Sequence, residues 1–490
     1  MHEGGVYERQ ISEFFVTSRW DDTSDDHLTF IFVKTENHRS LKKYLSSYWI
    51  RSAFFTFFQR FSLTFFGFIN FVLLTRKLTI DQMGTWALFL TITGIFEATK
   101  SALLKNAHIK YVSSSEDPEE QTEVASSSFL INASISIVFV ILIILFSDWL
   151  GRWFHTGKEL GIMMKWYIPG ILCMVFFAHF EAVQQSNLDF KGGFAGYFVR
   201  QILFFFVIVG YRLFKWPLTL TQLSMYQSLT IALGTIVLFL FSRKYLLFRF
   251  KASRKWVKRI LNYGGYIFGS GIVANIGLNL DQLMIGKFIM PSSVAYYNVA
   301  SRINLLVDIP SYAASEILFP KASMASAQEE KGRIKYLYER MVAVLLAFTI
   351  PLALVIIILP RLVTVAIAGP MYVAAAPILQ MYMITGIFRP AQNQAANLLN
   401  SIGKPRLVFF ANSFTLGLAL MINYACLLRF GFYGAAIGTV IATLTGFIFW
   451  YVIMRREIGL ELGKMLGYTL DTYRTIWRRI AGAIRKASVS

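Results

Sequence analysis

The sequence predicts an all-α polytopic membrane protein of about twelve transmembrane helices, arranged as two six-helix lobes related by a pseudo-two-fold axis. Three observations carry this. The chain is too apolar for an aqueous fold, its apolar residues fall into stretches long enough to cross a bilayer, and its two halves share patterns. Of the 490 residues, 55% are hydrophobic and 16% charged, whereas a soluble domain carries about 25% charged residues. The 45 Phe, 23 Tyr and 10 Trp exclude intrinsic disorder. Cys173 and Cys426 both lie in apolar runs and offer neither zinc-ligand spacing nor a disulfide framework.

A membrane-crossing helix needs about 20 largely apolar residues. Twelve such stretches lie near 52–74, 84–104, 126–147, 162–183, 195–214, 219–241, 264–286, 293–318, 341–359, 374–398, 407–428 and 432–454. They divide the chain into a polar N-terminal extension (1–45), an N-lobe (46–245), a C-lobe (246–455) and a basic tail (456–490). The extension has no basic segment followed by an apolar one, so it does not read as a signal peptide. The tail, with Lys464, Arg474, Arg478, Arg479, Arg485 and Lys486, reads either as an amphipathic helix on anionic headgroups or as a solvated segment.

Basic residues predict the orientation. The net charge is +20, from 48 Lys and Arg against 28 Asp and Glu. With the N-terminus cytoplasmic, 34 of the basic residues fall on the cytoplasmic side and 10 on the other. That bias over an even number of spans places both termini in the cytoplasm. The strongest element is the mid-chain loop holding Arg243, Lys244, Arg249, Lys251, Arg254, Lys255, Lys258 and Arg259 without an acid. Most of the excess charge is therefore topological. Nucleic acid is not required as a partner.

The same loop sits at the midpoint of an internal repeat. NFVLLTRKLTIDQMGTWALFL from Asn70 aligns with DQLMIGKFIMPSSVAYYNVAS from Asp281. FEAVQQ from Phe180 aligns with FRPAQN from Phe388 at nearly the same offset, setting Glu181 on Arg389 and Gln184 on Gln392. Two matches in one order predict duplication of a six-helix unit. Six being even, the two units enter the membrane in the same sense.

LTIDQMGTW, IMPSSVAYY, the DQLMIGKF run at 281–288 and NLLNSIGKPRL at 397–407 resemble the polysaccharide-transporter branch of the multidrug/oligosaccharidyl-lipid/polysaccharide (MOP) exporter superfamily. These are the Wzx-like flippases of lipid-linked oligosaccharides, related in fold to MATE transporters. The resemblance covers roughly residues 45–455 and its motifs are diffuse. It implies alternating access to a polyprenyl-diphosphate-linked glycan, with membrane lipids, glycosyltransferases and a polymerase of the same pathway as partners and no cofactor.

An ionisable side chain at membrane depth costs roughly 2.5–3.5 kcal/mol on insertion scales, so each needs a partner or a wet cavity. Spans one, two, four, seven, eight and ten hold nearly all such groups, while three, six, nine and twelve are almost purely apolar. The first set is expected to line a central cavity. Four cations inside spans, Arg60, Lys100, Arg302 and Arg389, are the candidates for a diphosphate, the arginines through bidentate forks. Gln184, Gln185, Gln392 and Asn393 are candidates for sugar hydroxyls, and Trp86, Tyr296 and Tyr297 for stacking. Asp281, Glu97 and Asp308 are candidates for ion coupling. Each has a plainer reading: Arg60 as a snorkelling cation, Glu97 and Lys100 as an internal pair, Asp281 as a hinge group, His179 as a packing residue beside Glu181 rather than a proton relay.

No P-loop, HExxH, GxSxG or paired-cysteine metal motif occurs, so no catalytic or metal residue is assigned and no enzyme is expected. Two other functions remain open. A multidrug/cation antiporter of the same architecture calls for an apolar cavity containing acids. A membrane-embedded glycan polymerase or ligase calls for a large outer loop, and the longest here is about 148–161.

Overall fold

The computed structural model describes residues 48–113, 115, 117–246, 250–327 and 331–487. The N-terminal extension assigned to 1–45 lies outside them. Fifteen α-helices and two short 3-10 turns make up the described residues, with no strand among them. In chain order they are α1 (Tyr48–Thr75), α2 (Ile80–Ser113), α3 (Pro118–Trp153), α4 (Glu159–Trp166), α5 (Ile168–Ser186), α6 (Lys191–Leu213), α7 (Leu220–Ser242) and α8 (Arg254–Phe288). Then come α9 (Pro291–Ala327), α10 (Lys331–Ile358), α11 (Pro360–Ala368), α12 (Ala376–Ser401), α13 (Pro405–Phe430), α14 (Gly434–Ile458) and α15 (Leu462–Ala487). The end of the bundle where α1 begins is the leading end, and where α1 stops, the far end.

Local chemistry sets the helix boundaries. Thr79 and Gln82 cap α2 reciprocally, as Thr219 and Gln222 cap α7: the Thr Oγ1 accepts from the Gln N–H while the Gln side chain accepts from the Thr N–H. Asp117 accepts from the Glu119 N–H at the start of α3. Gly431, with φ +55°, turns α13 back into α14.

Apolar residues point outward where lipid is expected. Leu229, Leu233, Ile236 and Leu240 form an exposed stripe along α7 at helical spacing, and Ile137 through Phe146 carry another along α3. Among the described residues, eight segments are long and apolar enough to span a membrane; the last of these, Pro405–Ile458, contains both α13 and α14. Besides the tail helix α15, the long helices outside that set are α2, α8 and α9, which carry Glu97, Lys100, Asp281, Arg302 and Asp308. They pack on one another, α2 lying against both α8 and α9. Their polarity explains the position: a helix that cannot face lipid is stable where protein surrounds it.

Contact between α2 and α9 is close. A Cβ at Gly84 would lie 1.7 Å from the Pro291 carbonyl oxygen. At the far end Arg76 donates to the Ala366 carbonyl at 2.8 Å, and the Lys287 ammonium sits 3.6 Å from the centre of the Trp153 ring. At the leading end Trp256 and Ile260 of α8 pack with Leu104, Ala107 and Tyr111 of α2 and Val124 of α3.

Helix packing repeats along the chain. In the first half α2 meets α3 and α5, α5 meets α7, and α6 meets α7; in the second α9 meets α10 and α12, α12 meets α14, and α13 meets α14. The tail is helical. Leu460, Met465 and Thr469 are buried where α15 docks on α10, and the Glu461 N–H donates to Glu339 at 3.1 Å.

Candidate functional site

Two cavities and one hydrogen-bonded cluster hold most of the polar groups at membrane depth. The first cavity, about 270 Å³, lies among α2, α3, α5 and α6. Its hub is the buried Glu181. Oε1 of Glu181 accepts from Lys105 Nζ at 2.9 Å and from Gln59 and Gln185 Nε2 at 3.2 Å each, and Oε2 accepts from the Tyr197 hydroxyl at 3.2 Å. Four donors from α1, α2, α5 and α6 thus converge on one carboxylate, which a low-dielectric site requires.

Lys100, only 2% exposed, lines the same cavity. Its ammonium pairs with Glu97 at 3.2 Å, donates to Ser136 Oγ at 3.2 Å and lies 5.1 Å from the centre of the Phe96 ring. His108 of α2 and His179 of α5 meet edge to face at 5.8 Å in the same lining.

The second cavity, about 230 Å³, is enclosed by α1, α2, α6, α7 and α9. Arg302, Asn70 and Asn298 line it with Trp86, which stacks against Phe89 and Phe204 at 5.2 and 6.3 Å. Beside it Gln282 Oε1 accepts from Thr91 at 3.2 Å and Asn298 at 3.0 Å, tying α2, α8 and α9 together. Arg200 of α6 borders both cavities.

The cluster lies among α8, α12, α13 and α14. Asp281 accepts from Thr439 Oγ1 at 2.7 Å and from the Tyr382 hydroxyl, and Thr439 is also within 3.4 Å of Asn423 Oδ1. Asp308 of α9, 1% exposed, pairs with Arg389 of α12 at 3.1 Å.

The residues singled out from the sequence are therefore dispersed. Glu97 and Lys100 reach the first cavity, Arg302 the second, and Asp281 the cluster, while Asp308 and Arg389 form a pair of their own. Gln185 holds Glu181. Gln184 is buried and its Oε1 accepts from the Gly193 N–H at 3.0 Å; Gln392 donates to the Thr443 carbonyl at 2.8 Å. Arg60 and Asn393 are exposed on α1 and α12. Tyr297 is buried and donates to the Phe432 carbonyl at 2.6 Å.

Three contributors escaped the sequence reading. Arg200 and Lys105 were counted as loop cations, although Arg200 falls within the stretch 195–214 assigned to a span. Glu181 enters the sequence reading through the repeat and as the neighbour of His179, not as a hub. At the leading end, outside the spans, burial pushes the Asp189 carboxyl up, but donors outweigh it: the Lys191 N–H, Lys244 and Tyr245 hold it below the usual carboxylate range.

The family model described as "Polysaccharide biosynthesis protein" matches residues 73–377. An uncharacterized membrane protein of Methanocaldococcus jannaschii is 27% identical over 208 residues, which is 41% of this chain and 40% of that protein's length. The probable low-salt glycan biosynthesis flippase Agl15 of Haloferax volcanii is 23% identical over 380 residues, 76% of this chain and 77% of that protein. Among solved structures, the lipid II flippase MurJ in an inward closed conformation superposes with TM-score 0.70 at 17% identity, covering 87% of this chain and 92% of that one. An inward-facing multidrug resistance MATE family transporter of the MOP superfamily gives the same score at 14% identity, covering 81% and 94%. The last two matches establish the fold alone.

Proposed function

The chain belongs to the polysaccharide biosynthesis protein family, and from that premise we propose that it is a flippase. Its substrate in this reading is a polyprenyl-diphosphate-linked oligosaccharide, carried from the cytoplasmic to the outer leaflet of a bacterial inner membrane by alternating access. Both termini then face the cytoplasm, and the pathway's glycosyltransferases and polymerase are its partners. The observation that carries the reading is the pair of arginines bordering the two cavities, Arg200 and Arg302. A diphosphate offers charge-assisted hydrogen bonds to guanidinium forks. Gln201, Asn70 and Asn298 beside them are suited to sugar hydroxyls.

The repeated helix packing supports two lobes, 46–245 and 246–455, rocking against each other across the α2 contacts with α8 and α9. Asp281 is the coupling residue best supported by its surroundings. Its carboxylate, with the Thr439, Asn423 and Tyr382 oxygens, makes an oxygen-rich pocket suited to a proton or a hard cation. Lys100, Lys105 and Arg389 already hold carboxylate partners, so in this reading they tune the site rather than grip the substrate.

The multidrug/cation antiporter is the second reading, and Glu97 and Glu181 in the first cavity favour it. Lys100 and Lys105 offset both charges, which weighs against it. The test is reconstitution in proteoliposomes. A fluorescent polyprenyl-diphosphate glycan placed on one leaflet becomes accessible to an impermeant reagent on the other if the flippase reading is right. Movement of hydrophobic cations against a proton gradient, with the glycan ignored, favours the antiporter.

A further inference from the structure

The mid-chain basic run, explained from the sequence by topology alone, is folded into a shaped surface. Lys255, Lys258, Arg259 and Asn262 on the opening turns of α8 join Tyr111 of α2 around an open concavity of about 520 Å³. The Arg259 guanidinium lies 5.0 Å from the Tyr111 ring and 4.8 Å from the Trp256 ring, and Lys255 Nζ lies 5.8 Å from Trp256. No carboxylate pairs with Lys255, Lys258 or Arg259 among the described residues. A few residues upstream, by contrast, Lys251 is engaged by Glu119 at 3.3 Å and Glu123 at 3.1 Å. Topology requires positive charge at this end of the bundle. It does not require three cations around one hollow, two of them set against aromatic rings.

A second observation gives the hollow a direction. Helix α2 borders three spaces in succession: the concavity at Tyr111, the first cavity between Glu97 and His108, and the second cavity between Met83 and Leu90. Tyr111 and Lys105 are separated by six residues, about 9 Å of helical rise. Cations border each space in turn.

We infer that this concavity is a vestibule that binds the diphosphate headgroup of a membrane lipid before it enters the first cavity. The inference rests on the flippase reading for its substrate and on the concavity's own residues for its chemistry. Three cations without acids suit a group bearing several negative charges at the membrane surface better than a zwitterionic or singly charged headgroup. The interior cations then receive the same group along α2.

The experiment places a photo-crosslinking amino acid at Asn262 of the full chain, in phosphatidylglycerol vesicles with a trace of radiolabelled polyprenyl diphosphate. The expected result is labelling by the diphosphate lipid, competed by inorganic pyrophosphate. Lys255→Gln with Lys258→Gln should weaken it about tenfold, the loss growing as salt is lowered. Lys244→Gln with Lys251→Gln, which removes the same two charges outside the concavity, should leave it unchanged. Labelling by phosphatidylglycerol alone, no labelling, or labelling that the double variant does not weaken overturns the vestibule. Flipping assays on the same vesicles separate the two readings. Crosslinking without flipping keeps the vestibule and overturns the transport reading; flipping without crosslinking does the reverse.

Discussion

Arg200 on α6 and Arg302 on α9 line the same cavity of about 230 Å³, bringing a cation from each half of the chain to one space. Arg200 also borders the neighbouring cavity, where Lys105 and Glu181 meet. In the proposed flippase, a substrate phosphate leaving one cavity for the other would pass a guanidinium common to both.

The Lys105–Glu181 pair should be structural as well as electrostatic. Glu181→Ala strands Lys105, Gln59, Gln185 and Tyr197, and breaking a buried pair costs about 3–5 kcal/mol. Lys105 is 32% exposed, which brings the expected loss to about 2–3 kcal/mol in thermal unfolding in detergent. Lys105→Met combined with Glu181→Gln should recover part of it. A double variant as unstable as the sum of its singles would show that the pair contributes nothing.

Gly84 and Gly94 on α2 give a matched test of the α2–α9 contact. A Cβ at Gly84 meets the Pro291 carbonyl at 1.7 Å, whereas one at Gly94 meets nothing within 4 Å. Gly84→Ala should destabilise by about 1–3 kcal/mol through overpacking. Gly94→Ala should be neutral or stabilising by up to about 1 kcal/mol, the gain in helix propensity. Equal unfolding temperatures for the two variants would contradict the packing.

If Asp281 couples transport to an ion, Asp281→Asn should remove the response of flipping to an imposed gradient while leaving glycan-lipid binding intact. Where the ion is a hard cation, Thr439→Val removes one oxygen from the pocket and should weaken its affinity about tenfold. Gradient-dependent flipping that survives Asp281→Asn excludes this residue.

Asp189 predicts an acid limb in stability. Its folded carboxyl lies below the ordinary value of 3.8, so its contribution is fully present above that pH and is lost as pH falls through the lower folded value. Unfolding temperature should be insensitive to this group above about pH 5. Asp189→Asn should flatten the acid limb without changing the response at neutral pH.

Much of the fold was legible because the bilayer constrains it: apolar stretches of fixed length mark the spans, and their polar exceptions, α2, α8 and α9, mark the centre. The site was less so. Arg389 has no acid beside it in sequence and finds Asp308 on another helix. Lys105 looked like a loop charge because a span's apolar run says little about how far its helix continues, and α2 extends to Ser113. Gln184 carries the same amide whether it meets a sugar or, as here, the backbone of Gly193. Such choices are set by packing, which neither composition nor periodicity encodes.

Flipping of a polyprenyl-diphosphate glycan by Arg200→Ala and Arg302→Ala variants in proteoliposomes tests the cationic path most directly. Losing charge-assisted hydrogen bonds should slow flipping about tenfold to a hundredfold in each, with Lys at either position restoring only part because it lacks the fork. Undiminished flipping by both alanine variants, with the protein folded, would contradict the cationic path.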